Sequence, residues 1–186
     1  YFPELRDFQK QNPNFKFIRH DLSHAIDLTK FSDLEPFQVA FQGIQEIYTC
    51  ASPVSEQHFD KFLPEILFAN SFVVKNALDL AVQNKAKFLH VSSCDIYGDP
   101  LPDQRVFPES YWGFINPVGV RTSFIEGKRF AEALVVTYSR RYGIEAKIAR
   151  VFHPYGPGMS FDSGRLIPDM IRSAYNNEDV VIYGNG

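Results

Sequence analysis

Short apolar runs alternate along this chain with longer segments of helical period, and that alternation restricts its possible folds more than any other feature. Phe15 to His20 (Phe-Lys-Phe-Ile-Arg-His) follows the turn-forming Asn12-Pro13-Asn14 and reads as a strand ended by Asp21. Glu46 to Ala51 reads as a second strand, closed by Ser52-Pro53 because the residue before proline disfavours helix. Pro64 suits a first helical turn, and Leu67, Phe68, Val74, Ala77, Leu78 and Ala81 recur at three- and four-residue steps up to about Asn84. Lys87 to Ser93 is a third strand, Arg121 to Arg141 a helix capped by Gly143, and Glu145 to Phe152 a fourth strand. Leu166 to Tyr175 is a helix with Pro168 in its first turn, and Val180 to Tyr183 opens a fifth strand.

Strands separated by helices specify an α/β fold, a doubly wound parallel sheet covered on both faces, with ligands bound beyond the carboxyl ends of the strands. Those ends are Asp21-Leu22, Ala51 to Pro53, Ser92 to Gly98 and His153 to Met159. Residues 98 to 120 carry four prolines and three glycines, too many breakers for a regular element, and a connection of that length usually carries function.

Composition removes several classes of partner. Nineteen basic against 22 acidic residues leave a net charge of -3, with no Lys/Arg block to follow a phosphate backbone, so nucleic acid is not an expected partner. The apolar runs Ile66 to Ala69 and Ala133 to Val136 fall far short of the roughly 20 residues that span a bilayer. Two cysteines, Cys50 and Cys94, make no disulfide framework and favour a reducing compartment, the cytoplasm. The five histidines are scattered without metal-ligand spacing, so no metal is expected. Tyr1 at the start and Gly184-Asn185-Gly186 at the end read as a piece of a longer chain, so a missing targeting segment says nothing here.

Ser92-Ser93-Cys94-Asp95-Ile96-Tyr97-Gly98 places hydroxyl, carboxylate and phenol groups at one strand end. Alone, such a string is as often a turn that satisfies its own backbone. Lys128 and Phe124, four residues apart on the next helix, share one helical face. With Ile47 to Pro53, Tyr111 to Gly119 (Tyr-Trp-Gly-Phe-Ile-Asn-Pro-Val-Gly), Glu126 to Arg129 and Arg150 to Pro157, these strings resemble, in order, the extended short-chain dehydrogenase/reductase family of NAD-dependent epimerases and dehydratases. Within it the likeness is strongest to decarboxylases of UDP-glucuronate, from about Phe15 to Gly186.

The resemblance implies a Rossmann fold over residues 1–186, without its first βαβ segment and glycine-rich phosphate turn, in which residues 153–186 begin the substrate-binding part. It implies NAD as cofactor, near Asp21, Leu22, Thr49, Ala51, Ser52 and Lys128, and a nucleotide-sugar substrate near Tyr97, Arg121, His153 and Arg165. The implied chemistry is oxidation at sugar C4, loss of CO2 from the β-keto acid and re-reduction, with Ser93 bonding the reacting oxygen and Asp95 at the position of a family Glu. It further implies a homodimer of the full-length protein through helices including residues 60–84 and 121–142.

Three further positions depart from the family. Phe124 stands where the catalytic Tyr belongs, His153 where Asn is usual and Gly158 where Arg is usual. A phenyl ring keeps the packing of tyrosine but has no proton to exchange. Loss of a positioned proton-transfer group costs roughly 10²- to 10⁴-fold in rate, so a catalytically impaired homologue that binds NAD and nucleotide sugar is the alternative reading.

Overall fold

The computed structural model describes residues 3–52, 62–103, 106–161 and 163–182. Helix α1 (Pro3–Gln11), an extended stretch, two 3-10 turns (Leu28–Lys30 and Ser32–Phe37) and the short α2 (Val39–Gln42) lead to strand β1 (Glu46–Thr49). Helix α3 (Leu63–Asn84), β2 (Lys87–Ser93), a 3-10 turn over Cys94–Tyr97, α4 (Thr122–Tyr142), β3 (Ala146–Val151) and α5 (Leu166–Asn176) follow. The strands pair in parallel in the order β1-β2-β3, so each strand-helix-strand step moves one place along the sheet. This is the Rossmann-like parallel sheet with flanking helices that the alternation specifies.

Register explains the packing. Ile47 and Thr49 lie beside Phe88 and His90, which lie beside Ala146 and Ile148, and Ser92 lies beside Arg150. Side chains alternate across a strand, so these residues share one face of the sheet, and on it Phe88, His90 and Ser92 are buried. Against them sit Val74, Ala77, Leu78 and Ala81 of α3 with Ala131 and Val135 of α4. Leu78 is wholly inaccessible, and truncating such a residue to Ala costs about 2–5 kcal/mol. The opposite face carries Tyr48, Leu89 and Val91, of which Tyr48 is exposed and the other two half-buried.

Helices α3 and α4 touch closely because Gly127 lacks a side chain: a Cβ there would lie 2.9 Å from that of Asn70. Asn70 is fully buried and donates from Nδ2 to the carbonyl of Ile66. At the other end of α4, Gly143 takes φ +70° and its N–H caps the carbonyl of Ser139, as its place after the last helical residue predicts.

Two expected strands differ. Phe15 to His20 forms no ladder, because the described strands pair only with one another and its backbone has no neighbour among them. Val180 to Ile182 is irregular and exposed for the same reason, and Tyr183 lies outside the described residues.

Candidate active site

The carboxyl ends of all three strands open onto one cleft of about 650 Å³, walled on its far side by the start of α5. Cys50 and Ser52 come to it from the end of β1, Val91 to Ser93 and Asp95 from β2, and Phe152 and His153 from β3. Phe124 and Lys128 reach it from the first turns of α4, one turn apart on the same face.

Lys128 is the most constrained of these groups. Its side chain is buried and Nζ donates to the carbonyl of Val91 at 2.7 Å. Burial pushes the ammonium down to about 8, against the opposing influence of Cys50 and Glu132. The Phe124 ring is also buried, with Lys128 Nζ 5.9 Å from its centroid, at the outer limit of a cation–π contact. Below Lys128 lies His90, whose Nδ1 is 2.9 Å from Thr49 Oγ1 and whose Nε2 has no partner. Burial, reinforced by the charge of Lys128 and opposed by Glu132, drives this imidazole down to about 4.

The turn after β2 is built by Ser93, whose Oγ accepts the Asp95 amide at 3.2 Å and caps the 3-10 turn. Asp95 Oδ2 then accepts from Arg121 Nη2 at 2.9 Å, which fixes one edge of the carboxylate. Gly98 closes the turn at φ +70°; a Cβ there would run into the backbone carbonyl of Phe114, with which Gly98 forms a bridge. That approach draws the long loop over residues 106–121 toward the site, and Arg129 Nη1 ties it further by donating to the carbonyl of Trp112 at 2.8 Å.

The fold therefore brings Ser93, Asp95, Arg121, Phe124, Lys128, His153, Arg165 and Ser52 to one cleft. It places others elsewhere. Tyr97 is buried, stacked on Phe107 with ring centroids 5.2 Å apart, and its hydroxyl accepts from Arg150 Nη1 at 3.0 Å. Thr49 is buried beside His90, and Ala51 is exposed beside the cleft residues Cys50 and Ser52. Asp21 is exposed and accepts from the Ser23 amide and hydroxyl, while the Leu22 carbonyl accepts from Asn76 on α3.

Sequence patterning did not reveal the network beneath the site. Glu132 receives Ser92 Oγ at 2.7 Å and two donors from Arg150, joining α4, β2 and β3. One signal existed: Glu132 is one helical turn beyond Lys128 and on the same face.

Comparison with known proteins agrees with this arrangement. UDP-glucuronic acid decarboxylase 4 of Arabidopsis thaliana is 39% identical over 176 residues, covering 94% of this chain and 36% of the relative. UDP-glucuronic acid decarboxylase 1 of Xenopus tropicalis is 34% identical over 175 residues, covering 93% of this chain and 37% of the relative. This chain thus spans little more than a third of the length of either. A solved UDP-glucuronic acid 4-epimerase from Bacillus cereus, in complex with UDP-glucuronic acid and NAD, superposes with a TM-score of 0.70 at 24% identity, over 97% of this chain and 52% of that one. The dTDP-glucose 4,6-dehydratase of Bacillus anthracis, in complex with NAD, gives 0.72 at 20% identity, over 97% and 51%. At those identities the likeness speaks for the fold. The shared pattern of the NAD dependent epimerase/dehydratase family matches residues 5–186. Because that match takes in every strand and helix that forms the cleft, this chain belongs to the NAD-dependent epimerase/dehydratase family.

Proposed function

We propose that this chain forms part of a nucleotide-sugar-modifying enzyme whose substrate is of the UDP-glucuronate class, decarboxylated through a C4-keto sugar. The observation that carries the reading is the convergence of Ser93, Asp95, Phe124 and Lys128 on one cleft at the strand ends. Resemblance to decarboxylases at 34–39% identity supports the substrate class.

The residues suit NAD. Ser52 Oγ lies buried in the cleft wall without a hydrogen-bond partner, and the buried Lys128 ammonium stands opposite the end of β1, so a hydroxylated ribose meets both an open hydroxyl and a cation. When bound, NAD supplies the two-electron oxidant for the sugar C4 alcohol. On this reading Ala51 and Thr49, which flank Cys50 in the chain, border the nicotinamide side, and Asp21 and Leu22 take the adenine end. Ser93 donates to the C4 oxygen, and Asp95, held by Arg121, sets the carboxyl-bearing side of the sugar. Arg165 lines the cleft and neutralises the diphosphate, to which a His153 ring N–H donates. Loss of CO2 then needs only the keto group at C4, since a β-keto acid carries its own electron sink.

A second reading is favoured by one observation, the phenyl ring of Phe124 where the cleft needs a proton donor and acceptor. On it the protein binds NAD and nucleotide sugar but turns over slowly. Incubating the full-length protein with NAD and UDP-glucuronate separates the readings: CO2 release supports decarboxylation, binding without turnover supports the impaired homologue, and turnover of a different nucleotide sugar without CO2 overturns the substrate class.

The outward faces of α3 and α4 expose Phe68, Phe72 and Phe130, each about half accessible. A second copy of the chain is the occupant we assign to that patch, and Phe68→Asp should convert a dimer to monomer in sedimentation.

A further inference from the structure

The sequence spacing gathers no metal ligands, but the fold does. Cys94 and Asp95 follow β2, His153 follows β3, and the parallel pairing of these strands delivers all three to one end of the sheet. Cys94 Sγ is 3.8 Å from His153 Nε2 and 3.8 Å from Asp95 Oδ1, and the three ligand atoms lie within 4.8 Å of one another. With metal–ligand bonds of about 2.0–2.3 Å, neighbouring donors of a tetrahedral ion stand roughly 3.3–3.8 Å apart. Two of the three separations already meet that span, and the third, between His153 and Asp95, is no more than 4.8 Å.

We propose that Cys94, Asp95 and His153 form a binding site for a zinc-class divalent cation, with its fourth position open to the cleft. The donor set selects the ion: a thiolate and an imidazole suit zinc or cobalt, whereas magnesium and calcium prefer all-oxygen shells. The second shell fits as well. Arg121 holds Asp95 Oδ2 at 2.9 Å, leaving Oδ1 turned toward the thiol, the manner in which outer partners orient a ligating carboxylate. Three protein ligands with one position unfilled is the pattern of a reactive rather than a purely structural zinc. His153 and Asp95 line the cleft together with Phe124, so an ion they hold would border the space where that ring offers no proton. A Lewis acid there would draw charge from a substrate oxygen. That consequence rests on the function proposed above; the metal site itself does not.

The test uses the full-length protein, stripped of metal with a chelator and titrated with Co2+ and then Zn2+. One equivalent of Co2+ should bind with tetrahedral visible bands and a thiolate-to-cobalt charge-transfer band, both displaced by Zn2+. Cys94→Ser should abolish the charge-transfer band, and Cys94→Ser with His153→Asn should weaken Zn2+ binding by more than about 100-fold. An octahedral spectrum without charge transfer, or a charge-transfer band that survives Cys94→Ser, overturns the proposal. A measurement on the unmutated protein covers the case of a variant that misfolds: Zn2+ should slow alkylation of Cys94, mapped by peptide mass, while exposed Cys50 reacts at an unchanged rate. Equal rates at Cys94 with and without Zn2+ overturn it too. None of these readouts involves NAD or a nucleotide sugar, so failure here is distinct from failure of the functional reading.

Discussion

Arg150 meets Glu132 along one edge of its guanidinium, Nε donating to Oε1 at 3.0 Å and Nη2 to Oε2 at 2.8 Å, while Ser92 donates to the same carboxylate at 2.7 Å. Arg150 continues to the hydroxyl of Tyr97 and to the carbonyl of Glu109, so one half-buried ion pair joins α4, β2, β3 and the loop that borders the cleft. Breaking such a pair from one side leaves a poorly solvated charge behind. Arg150→Leu should therefore destabilise by about 3 kcal/mol, and Glu132→Gln, which keeps hydrogen bonds but loses charge, by about 1–2 kcal/mol. Urea midpoints measure both; equal small losses in the two variants would mean that the pair is solvated like a surface bridge.

Phe124 sets the second expectation. Its ring lines the cleft one helical turn before Lys128, so a phenol at this position brings a titratable hydroxyl into the cleft beside an ammonium that lowers its pKa. Phe124→Tyr should raise turnover of the full-length protein by about 10²- to 10⁴-fold, read as CO2 release from UDP-glucuronate. An unchanged rate would show that the remaining machinery is not arranged for C4 oxidation.

The elements that were legible in the sequence are those with strong local signals. The bounds of β2 follow from its apolar middle and polar flanks, and those of α4 from its period and the glycine that ends it. Strand pairing is not local. Phe15 to His20 follows a turn signal as a strand should, yet no described strand lies beside it, and nothing in six residues announces that. The site divides similarly. Lys128, Ser93 and Asp95, singled out by resemblance to a family, do come to one cleft, because a strand end and a helical face bring them there. The surroundings of Tyr97 were not legible, because only the fold brings Phe107 and Arg150 against its ring and hydroxyl. The approach of His153 to Cys94 depends on the register of β2 with β3, which spacing along the chain does not encode.

Gly127 offers a test in which two effects oppose. Alanine at this helical position gains about 1 kcal/mol of helix propensity over glycine. Its Cβ, however, would lie 2.9 Å from that of Asn70, on the backbone-close seam of α3 and α4 where neither helix has room to retreat. Overpacking of that kind costs about 1–3 kcal/mol, so Gly127→Ala should lower the melting temperature despite the better propensity. Asn70→Gly removes the opposing Cβ, and in that background Gly127→Ala should be less harmful; a double-mutant cycle with no coupling would refute the steric account.

His90 gives the fold a pH dependence with a definite sign. Its Nδ1 meets the Thr49 hydroxyl, and burial together with the charge of Lys128, opposed by Glu132, holds it near 4 rather than its ordinary 6.5. As pH falls below 6.5 the unfolded chain takes up this proton first, because the folded state resists an imidazolium beside a buried ammonium. Stability present above pH 6.5 is therefore lost progressively, and the loss from this group is complete only near pH 4. The difference between those two values corresponds to about 3 kcal/mol. His90→Gln keeps a partner for the Thr49 hydroxyl and has no proton to gain, so its urea midpoint should fall less steeply than that of the native protein between about pH 7 and about pH 4. Parallel curves would mean that His90 is protonated in the folded state at an ordinary pH, and that the charge of Lys128 does not reach it.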